Sequence, residues 1–328
     1  MRAIQRLWEK PNDYNSLWSK RCAWMAGNRS QNWYENTRLI SRRSDSLTGD
    51  SMKFYGQFDY QVDRFIFERY FPDKNIKGTF VECGAFDGLT ECSCKFFEDT
   101  MEWSAYNLEP VPWIFDKLQI NRPNSNNFNV GLSNKSGETT FQSVIHPTFG
   151  RDTTIGAIEH SDSIRANLMD AGCTFEPVTV TTITWADFIK LSGLSRIDLM
   201  VLDVEGHELA VLEGMIGSQV LPDVMCVEFG HIGFNLLRAM VEEMGYLYDI
   251  HSNANAFFIK KEALPLFALR RFAHDQRQTS QSAPELEMLR RQVEHLSARE
   301  TELVELYQTV TSSKIWKISE YLRKLFRR

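Results

Sequence analysis

The sequence predicts an α/β protein in which a mostly parallel, doubly wound sheet carries helices on both faces. Short apolar and β-branched runs alternate with segments of helical periodicity from residue 79 to about residue 260. Residues 197–202 are almost continuously apolar, which is typical of a central parallel strand buried on both faces. Residues 79–88 combine a buried strand with a glycine-bearing turn. Ligands of such sheets bind at the carboxyl ends of the strands, so the candidate functional residues are sought there.

The predicted elements follow one another in a regular order. A helix is predicted at 58–71, before the first strand, because apolar residues recur there at helical spacing. Strands are predicted at 79–83, 105–108, 128–131, 138–144, 178–183, 197–202, 224–228, 246–250 and 256–259, and further helices at 92–98, 112–120, 208–215 and 234–244. Residues 146–173 are polar and weakly patterned, which predicts an insertion that faces the substrate. The last two strands are expected to close the sheet as an antiparallel pair.

Composition divides the chain into a central domain with appendages on both sides. The central α/β domain is assigned to residues 55–265, with an N-terminal extension at 1–54 and a linker at 266–284. The extension is rich in tryptophan, which argues against disorder and favours a loosely helical segment that docks on a partner. These tryptophans are Trp8, Trp18, Trp24 and Trp33.

Two helical patterns follow the linker. Residues 285–311 place apolar side chains at a and d positions of a heptad frame, which predicts a coiled-coil-like helix that can form a homo-oligomer; a single surface helix lying on the core is the alternative. Residues 312–328 form a basic amphipathic tail. Its residues 314–328 are expected to make peripheral contact with a membrane surface, or else to pack as a solvated tail on a partner helix.

Bulk composition restricts the partners. The chain has 328 residues and a net charge of -6, and this acidic balance argues against nucleic acid as a partner. No apolar run reaches the roughly 18 residues that span a bilayer, and the N-terminus has no apolar signal core, so we expect a cytoplasmic protein, at most peripheral at the inner face of the membrane. The cysteines match no zinc spacing and are expected to be free thiols. They are Cys22, Cys83, Cys92, Cys94, Cys173 and Cys226.

The turn after the first strand has the features of a nucleoside site without a phosphate site. A dinucleotide fingerprint needs three glycines, but here Glu82 stands in place of the first, and only Gly84 and Gly88 remain. The carboxylates of Glu82 and Asp87 would repel an anion and suit a cationic ligand. Glu109, at the end of the next strand, can accept hydrogen bonds from ribose hydroxyls. These five residues are the predicted cofactor contacts, and S-adenosyl-L-methionine fits their chemistry; an ordinary strand–turn–helix is the alternative.

Two further strand ends carry the candidate catalytic residues. Asp203 and Glu205 follow the central strand, and Glu228 and His231 follow the next one. Clustered acids beside a histidine favour proton transfer or a cationic ligand, although acidic residues also favour helix N-termini. We expect Asp203 or His231 to act as the base, with Glu205 and Glu228 shaping the site. No metal site is predicted, although a divalent metal held by Asp203 and Glu228 is compatible with the sequence.

These motifs together resemble the FkbM-type S-adenosylmethionine-dependent methyltransferases. The resemblance runs from about residue 55 to 261 and rests on four motifs. They are Tyr-Gly-Gln-Phe at 55–58, Phe-Val-Glu-Cys-Gly-Ala-Phe-Asp-Gly at 80–88, Leu-Glu-Pro at 108–110, and residues 198–209 with the core Asp-Val-Glu-Gly-His-Glu at 203–208. It implies a Rossmann-like methyltransferase fold, S-adenosyl-L-methionine as cofactor and O-methylation of a sugar hydroxyl or another small molecule. The Cys-Ser-Cys at 92–94 departs from the small polar residues expected there. The tail from residue 312 is also similar to the endings of bacterial polysaccharide-assembly proteins, which favours a glycan substrate.

Two other functional classes remain as alternatives. A non-catalytic, methyltransferase-like scaffold would use its C-terminal helices to reach a membrane or a partner, and it would not bind S-adenosyl-L-methionine. A nicotinamide oxidoreductase would share Glu109 but lacks the glycines that hold a pyrophosphate. Titrations with S-adenosyl-L-methionine and with NAD separate the three hypotheses.

Overall fold

The computed structural model describes residues 52–58, 60–274 and 299. The predictions for the N-terminal extension before residue 52, the coiled-coil-like helix and the basic tail concern residues outside this part of the chain. By its contacts the chain divides into two compact units, Met1–Ala268 and Leu269–Arg328, and the elements below belong to the first. Among the described residues, no helix combines the length and the apolar character needed to cross a bilayer.

Strands and helices alternate along the first unit. The strands are β1 (Thr79–Cys83), β2 (Ser104–Leu108), β3 (Asn126–Phe128), β4 (Gly131–Leu132), β5 (Gly137–Ile145), β6 (Thr174–Ile183), β7 (Leu199–Leu202), β8 (Val224–Glu228), β9 (Tyr246–Ser252) and β10 (Asn255–Lys260). The helices are α1 (Val62–Tyr70), α2 (Lys95–Asp99), α3 (Pro112–Asn121), α4 (Asp162–Asp170), α5 (Trp185–Ser192), α6 (Glu208–Met215) and α7 (Phe234–Glu243). A 3-10 turn, Lys261–Ala263, follows the last strand.

The main sheet has the order β3-β2-β1-β7-β8-β10-β9. The pairs from β3 through to β8 are parallel, and β10 runs antiparallel to both β8 and β9. The predicted central strand is confirmed, because β7 lies between β1 and β8 and all four of its residues are buried. The antiparallel closing pair is confirmed as well.

A second sheet, of order β4-β6-β5, is formed by the part of the chain that lies between β3 and β7 of the main sheet. The prediction of a single third strand at 128–131 is wrong, because β3 pairs with β2 in the main sheet whereas β4 pairs with β6 in the small one. Between them the side chain of Asn129 donates to the carbonyls of Glu109 and Pro110, which turns the chain from one sheet to the other. The insertion at 146–173 also contains α4, whose N-terminus is capped by Ser161.

Hydrophobic cores on both faces of the main sheet explain why it is doubly wound. Successive side chains of a strand point to opposite faces, so Leu199 joins one core while its neighbour Met200 joins the other. The first core packs under α1 and α2 and is rich in phenylalanine. The second packs under α5, α6 and α7 and includes Trp185. Each large apolar side chain buried in this way stabilises the fold by roughly 1.5–3 kcal/mol.

Candidate active site

A cleft that is partly open to solvent lies at the carboxyl ends of β1, β2 and β7. This is the edge at which the sequence predicts a ligand. Residues from each of these strand ends line it: Cys83, Gly84 and Phe86 after β1, Leu108, Glu109 and Pro110 after β2, and Asp203, Val204, Glu205 and His207 after β7. The rest of the cleft wall includes Phe141 and Ser143 of β5 and Arg151, Thr153, Thr154, Gly156 and Ile158 of the insertion. The wall residues were not identified as site residues by sequence reasoning, because they carry no motif.

Gly84 is required where the turns after β1 and β7 meet. Its φ is +82°, in the left-handed region, and a Cβ there would lie 1.9 Å from the backbone oxygen of Asp203. Its backbone N–H donates to the carbonyl of Leu108 at 3.1 Å, which joins the turn to β2. The absence of a side chain therefore allows three strand ends to converge on one cleft.

Glu109 is the predicted cofactor contact with the clearest geometry. Its carboxyl group is buried in the wall of the cleft, where Oε2 accepts from the backbone N–H of Phe86 at 3.1 Å and Oε1 accepts from that of Val111 at 2.8 Å. Burial raises the pKa of Glu109 to about 7, although these two N–H groups act in the opposite direction. The two donors hold the carboxyl group in place, and each oxygen can still accept a hydroxyl proton.

Glu82 lies in a buried ion-pair network rather than among the residues that line the cleft. Its Oε2 is 2.8 Å from Nη1 of Arg122, a side chain with no solvent exposure. Its Oε1 accepts from the backbone N–H of Ser93 at 2.9 Å, and the thiol of Cys92 lies 3.3 Å from Oε2. Arg122 also pairs with Glu98 at 2.6 Å. The predicted contact between Glu82 and the cofactor stays a prediction, and the network gives Glu82 a second role in stabilising the turn.

Asp87 and Gly88 shape the turn after β1 and are also absent from the cleft lining. The carboxylate of Asp87 accepts from the backbone N–H groups of Leu89 and Thr90 at 2.9 and 2.7 Å, and from the Thr90 hydroxyl at 2.8 Å. Gly88 has a φ of +76°, and a Cβ would lie 2.7 Å from side-chain atoms of Leu118 and Arg122. Cofactor contact by these two residues stays a prediction.

The candidate catalytic residues are brought together by neighbouring strands. Asp203 and Glu205 line the cleft. The Nε2 atom of His231 lies 2.9 Å from Oε2 of Glu205 and 3.7 Å from Oε2 of Glu228. Burial by itself would lower the pKa of His231, but the carboxylate of Glu205, together with nearby acids, outweighs burial and raises it. The prediction that these side chains share one site agrees with this placement, whereas their catalytic roles stay predictions.

The turn between Asp203 and α6 is held by Glu208, the last residue of the Asp-Val-Glu-Gly-His-Glu motif. Glu208 is fully buried, and its Oε1 accepts from the backbone N–H groups of Val204 and Gly206, each at 3.1 Å. These bonds support a backbone in which Glu205 has a φ of 54°, unusual for a residue with a side chain. Burial raises the pKa of Glu208. Its carboxylate therefore fixes the turn that presents Glu205 to the cleft.

His207 is a cleft residue that sequence reasoning quoted within a motif but did not assign to the site. Its Nε2 lies 3.0 Å from the hydroxyl oxygen of Ser133, and burial lowers its pKa. The described cysteines, Cys83, Cys92, Cys94, Cys173 and Cys226, are buried free thiols, as expected, and Cys22 lies outside the described residues.

Several known proteins are similar to this chain to different degrees. No curated protein matches the sequence. Among solved structures, a methyltransferase FkbM from Methylobacillus flagellatus KT is similar, with 11% identity and a TM-score of 0.35, over 70% of this chain and 59% of that one. A methyltransferase from Pyrococcus furiosus shows 12% identity and a TM-score of 0.33 over 70% and 99% of the two chains. A TehB-like SAM-dependent methyltransferase from Corynebacterium glutamicum shows 11% identity and a TM-score of 0.31 over 70% and 97%.

The family itself is shown by the sequence. The sequence model of the methyltransferase FkbM domain matches residues 82–248, just over half of the chain, and this range contains every predicted site residue. This match confirms the resemblance seen in the motifs. The chain therefore belongs to the FkbM methyltransferase domain family.

Proposed function

We propose that the cleft binds S-adenosyl-L-methionine and that the enzyme transfers its methyl group to a sugar hydroxyl during polysaccharide or related glycan biosynthesis. The observation that carries this proposal is the carboxyl group of Glu109, held by two backbone N–H groups in the wall of a cleft that Gly84 and Asp203 also line. That arrangement suits the two hydroxyls of a ribose.

The charge of the cleft supports this cofactor over a dinucleotide. Among the described residues that line it, four are acidic, Glu91, Glu109, Asp203 and Glu205, and Arg151 is the one arginine or lysine. A lining of this sign attracts the sulfonium and ammonium groups of S-adenosyl-L-methionine and repels a pyrophosphate. The same charge argues against the nicotinamide oxidoreductase hypothesis.

The reaction would be a single in-line displacement. A lone pair of the acceptor oxygen forms a bond to the methyl carbon while the carbon–sulfur bond breaks and its electron pair returns to sulfur. Alignment of the two reactants can supply up to roughly 7–11 kcal/mol. The hydroxyl proton passes to a base, a contribution of about 10²–10⁴ in rate. We assign this role to Asp203, because it lines the cleft beside Glu205, whereas the structure places His231 against Glu205.

The glycan acceptor is favoured by the resemblance of the C-terminal tail noted in the sequence and by hydroxyl side chains in the cleft that Asp203 also lines. Ser143, Thr153 and Thr154 line that cleft and offer hydroxyl groups to a polyol. Location at the cytoplasmic face of a membrane and oligomerisation through residues 285–311 belong to the same proposal. The non-catalytic scaffold is the second candidate, and cofactor binding distinguishes the two.

Calorimetry with the full-length protein tests the cofactor. We expect S-adenosyl-L-methionine to bind with one site per chain and NAD to give no heat. Binding of NAD alone, or of neither compound, would overturn the cofactor assignment. Incubation with a donor labelled on its methyl group and with candidate glycans then tests the acceptor. If label enters acceptors that contain no sugar and never a sugar or glycan, the sugar assignment is wrong while the methyltransferase remains.

A further inference from the structure

We propose that Glu205, Glu228 and His231 form a binding site for one divalent transition-metal ion beside the cleft. Metal binding is a property of these side chains and does not depend on the proposed function. The effect of the metal on the methyl acceptor does rest on that function.

The three side chains already lie at metal-binding distances from one another. One possible ligand atom of each side chain lies within 4.8 Å of those of the other two. The Nε2 of His231 lies 2.9 Å from Oε2 of Glu205 and 3.7 Å from Oε2 of Glu228. Ligand atoms bound to one ion at about 2.0–2.2 Å are separated by roughly 2.8–3.6 Å, from octahedral to tetrahedral coordination. Small side-chain rotations therefore convert this cluster into a coordination site.

The sheet itself places these ligands together. Strands β7 and β8 are parallel neighbours, and Leu202 is paired with Val227. The residues that follow this pair are Asp203 and Glu228, so both strand ends open at the same edge. The turn held by Glu208 then carries Glu205 towards His231. A site built from two strand ends is positioned by the rigid main sheet.

A further acidic residue, Glu208, lies close to the cluster and adds negative charge that would favour a cation there. Glu208 is fully buried, and its Oε2 has no hydrogen-bond partner. Its charge acts on His231 together with those of Glu205 and Asp203. A divalent ion would offset their repulsion and let His231 bind as a neutral ligand.

The mixture of ligands selects the class of metal. Two carboxylates and an imidazole suit ions such as Mn²⁺ or Zn²⁺, whereas Ca²⁺ and Mg²⁺ prefer oxygen ligands alone. Because Glu205 lines the cleft, an ion held there would lie next to an acceptor hydroxyl. It would polarise that oxygen and ease the departure of its proton towards Asp203. The alternative is a simple Glu205–His231 ion pair that needs no metal.

Titration of untagged, EDTA-treated full-length protein with Mn²⁺ tests the site, with free Mn²⁺ followed by its electron paramagnetic resonance signal. We expect saturable uptake of one ion per chain, competition by Zn²⁺ and much weaker competition by Ca²⁺. Substituting an outer-shell partner of a metal ligand typically weakens metal binding by about 10- to 100-fold, and substituting a ligand itself costs at least as much. We therefore expect Glu228→Gln and His231→Ala each to weaken Mn²⁺ binding by about 100-fold or more. Glu213→Gln, an exposed carboxylate on α6, is the matched control and should bind Mn²⁺ as the unaltered protein does.

Circular dichroism shows which variants fold, and the unaltered protein alone already tests the proposal. Absence of saturable Mn²⁺ uptake overturns it, as does unchanged affinity in the two folded ligand variants. Calorimetry with S-adenosyl-L-methionine in EDTA keeps the two proposals separate. Cofactor binding without metal uptake would refute the metal site and leave the proposed function standing. Metal uptake without cofactor binding would refute the proposed function and leave the metal site standing.

Discussion

Replacing Arg122 tests whether the acid at the start of the fingerprint, Glu82, stabilises the fold. Arg122 has no solvent exposure, and Glu82 is 4% exposed. With Arg122→Met the side chain keeps an apolar stem of similar length, so the main change is the loss of the guanidinium group. Glu82 would then be left as a buried charge whose remaining donors are a backbone N–H and a thiol.

The magnitude follows from burial. Removing one partner of a buried ion pair typically costs about 3–5 kcal/mol, because the other charge stays desolvated without compensation. Glu98, the second partner of Arg122, is 16% exposed and can be solvated, so it adds little. Glu82→Gln removes the buried charge and leaves Arg122 paired with Glu98. We therefore expect the double variant, Glu82→Gln with Arg122→Met, to be more stable than Arg122→Met alone.

Urea unfolding followed by far-ultraviolet circular dichroism measures these free energies of unfolding for the four proteins of the cycle. A loss below about 1 kcal/mol for Arg122→Met, or a double variant less stable than that single variant, would refute the reasoning. Calorimetry with S-adenosyl-L-methionine on folded Glu82→Gln adds the functional result. Unchanged affinity would assign Glu82 to the fold alone, and a large loss would support its predicted contact with the cofactor.

Two further predictions concern the cleft. The pKa of Glu109 is raised to about 7, so the ionised fraction of this carboxyl group rises between pH 6 and pH 8. The ionised form is the stronger acceptor for ribose hydroxyls. We expect affinity for S-adenosyl-L-methionine to increase about tenfold over this range, and Glu109→Gln to abolish the trend; a pH-independent affinity in the unaltered protein would contradict this. The effect on stability has the opposite sign. The Glu109 carboxyl ionises at a lower pH in the unfolded chain than in the folded protein. Its contribution to the free energy of unfolding is therefore fully present below its ordinary pKa and is lost as the pH rises through about 7. Gly84→Ala would place a Cβ 1.9 Å from the Asp203 carbonyl oxygen and should destabilise the fold by more than about 4 kcal/mol. The matched control is Gly193→Ala, which has a φ of +69° and open space around it and should cost about 1–2 kcal/mol; equal losses in thermal unfolding would rule out the close approach as the cause.

Much of the sheet was predictable because its signals are local. The apolar run that became β7 and the periodicity of α6 each lie within a few consecutive residues, and their positions were confirmed. The segment at 128–131 misled the prediction, because two short strands of different sheets are adjacent in sequence. Helix α4 lies in a region of weak periodicity, and no helix was predicted at the position of α5. Helix α5 does carry local signals that the prediction missed, because Thr184 caps its N-terminus and Gly193, with a φ of +69°, ends it.

The sequence by itself determined the fold class, the family and the strand ends at which acidic residues would collect. These follow from periodicity and from motifs of consecutive residues. Only the tertiary structure decided which acids line the cleft and which lie in buried networks. Glu82 was assigned by its motif, but its ion-pair partner Arg122 is 40 residues away along the chain. Likewise, the grouping of Glu205 with His231 depends on the pairing of β7 with β8. A carboxylate has the same formula in every setting, and its role depends on the neighbours that folding brings to it.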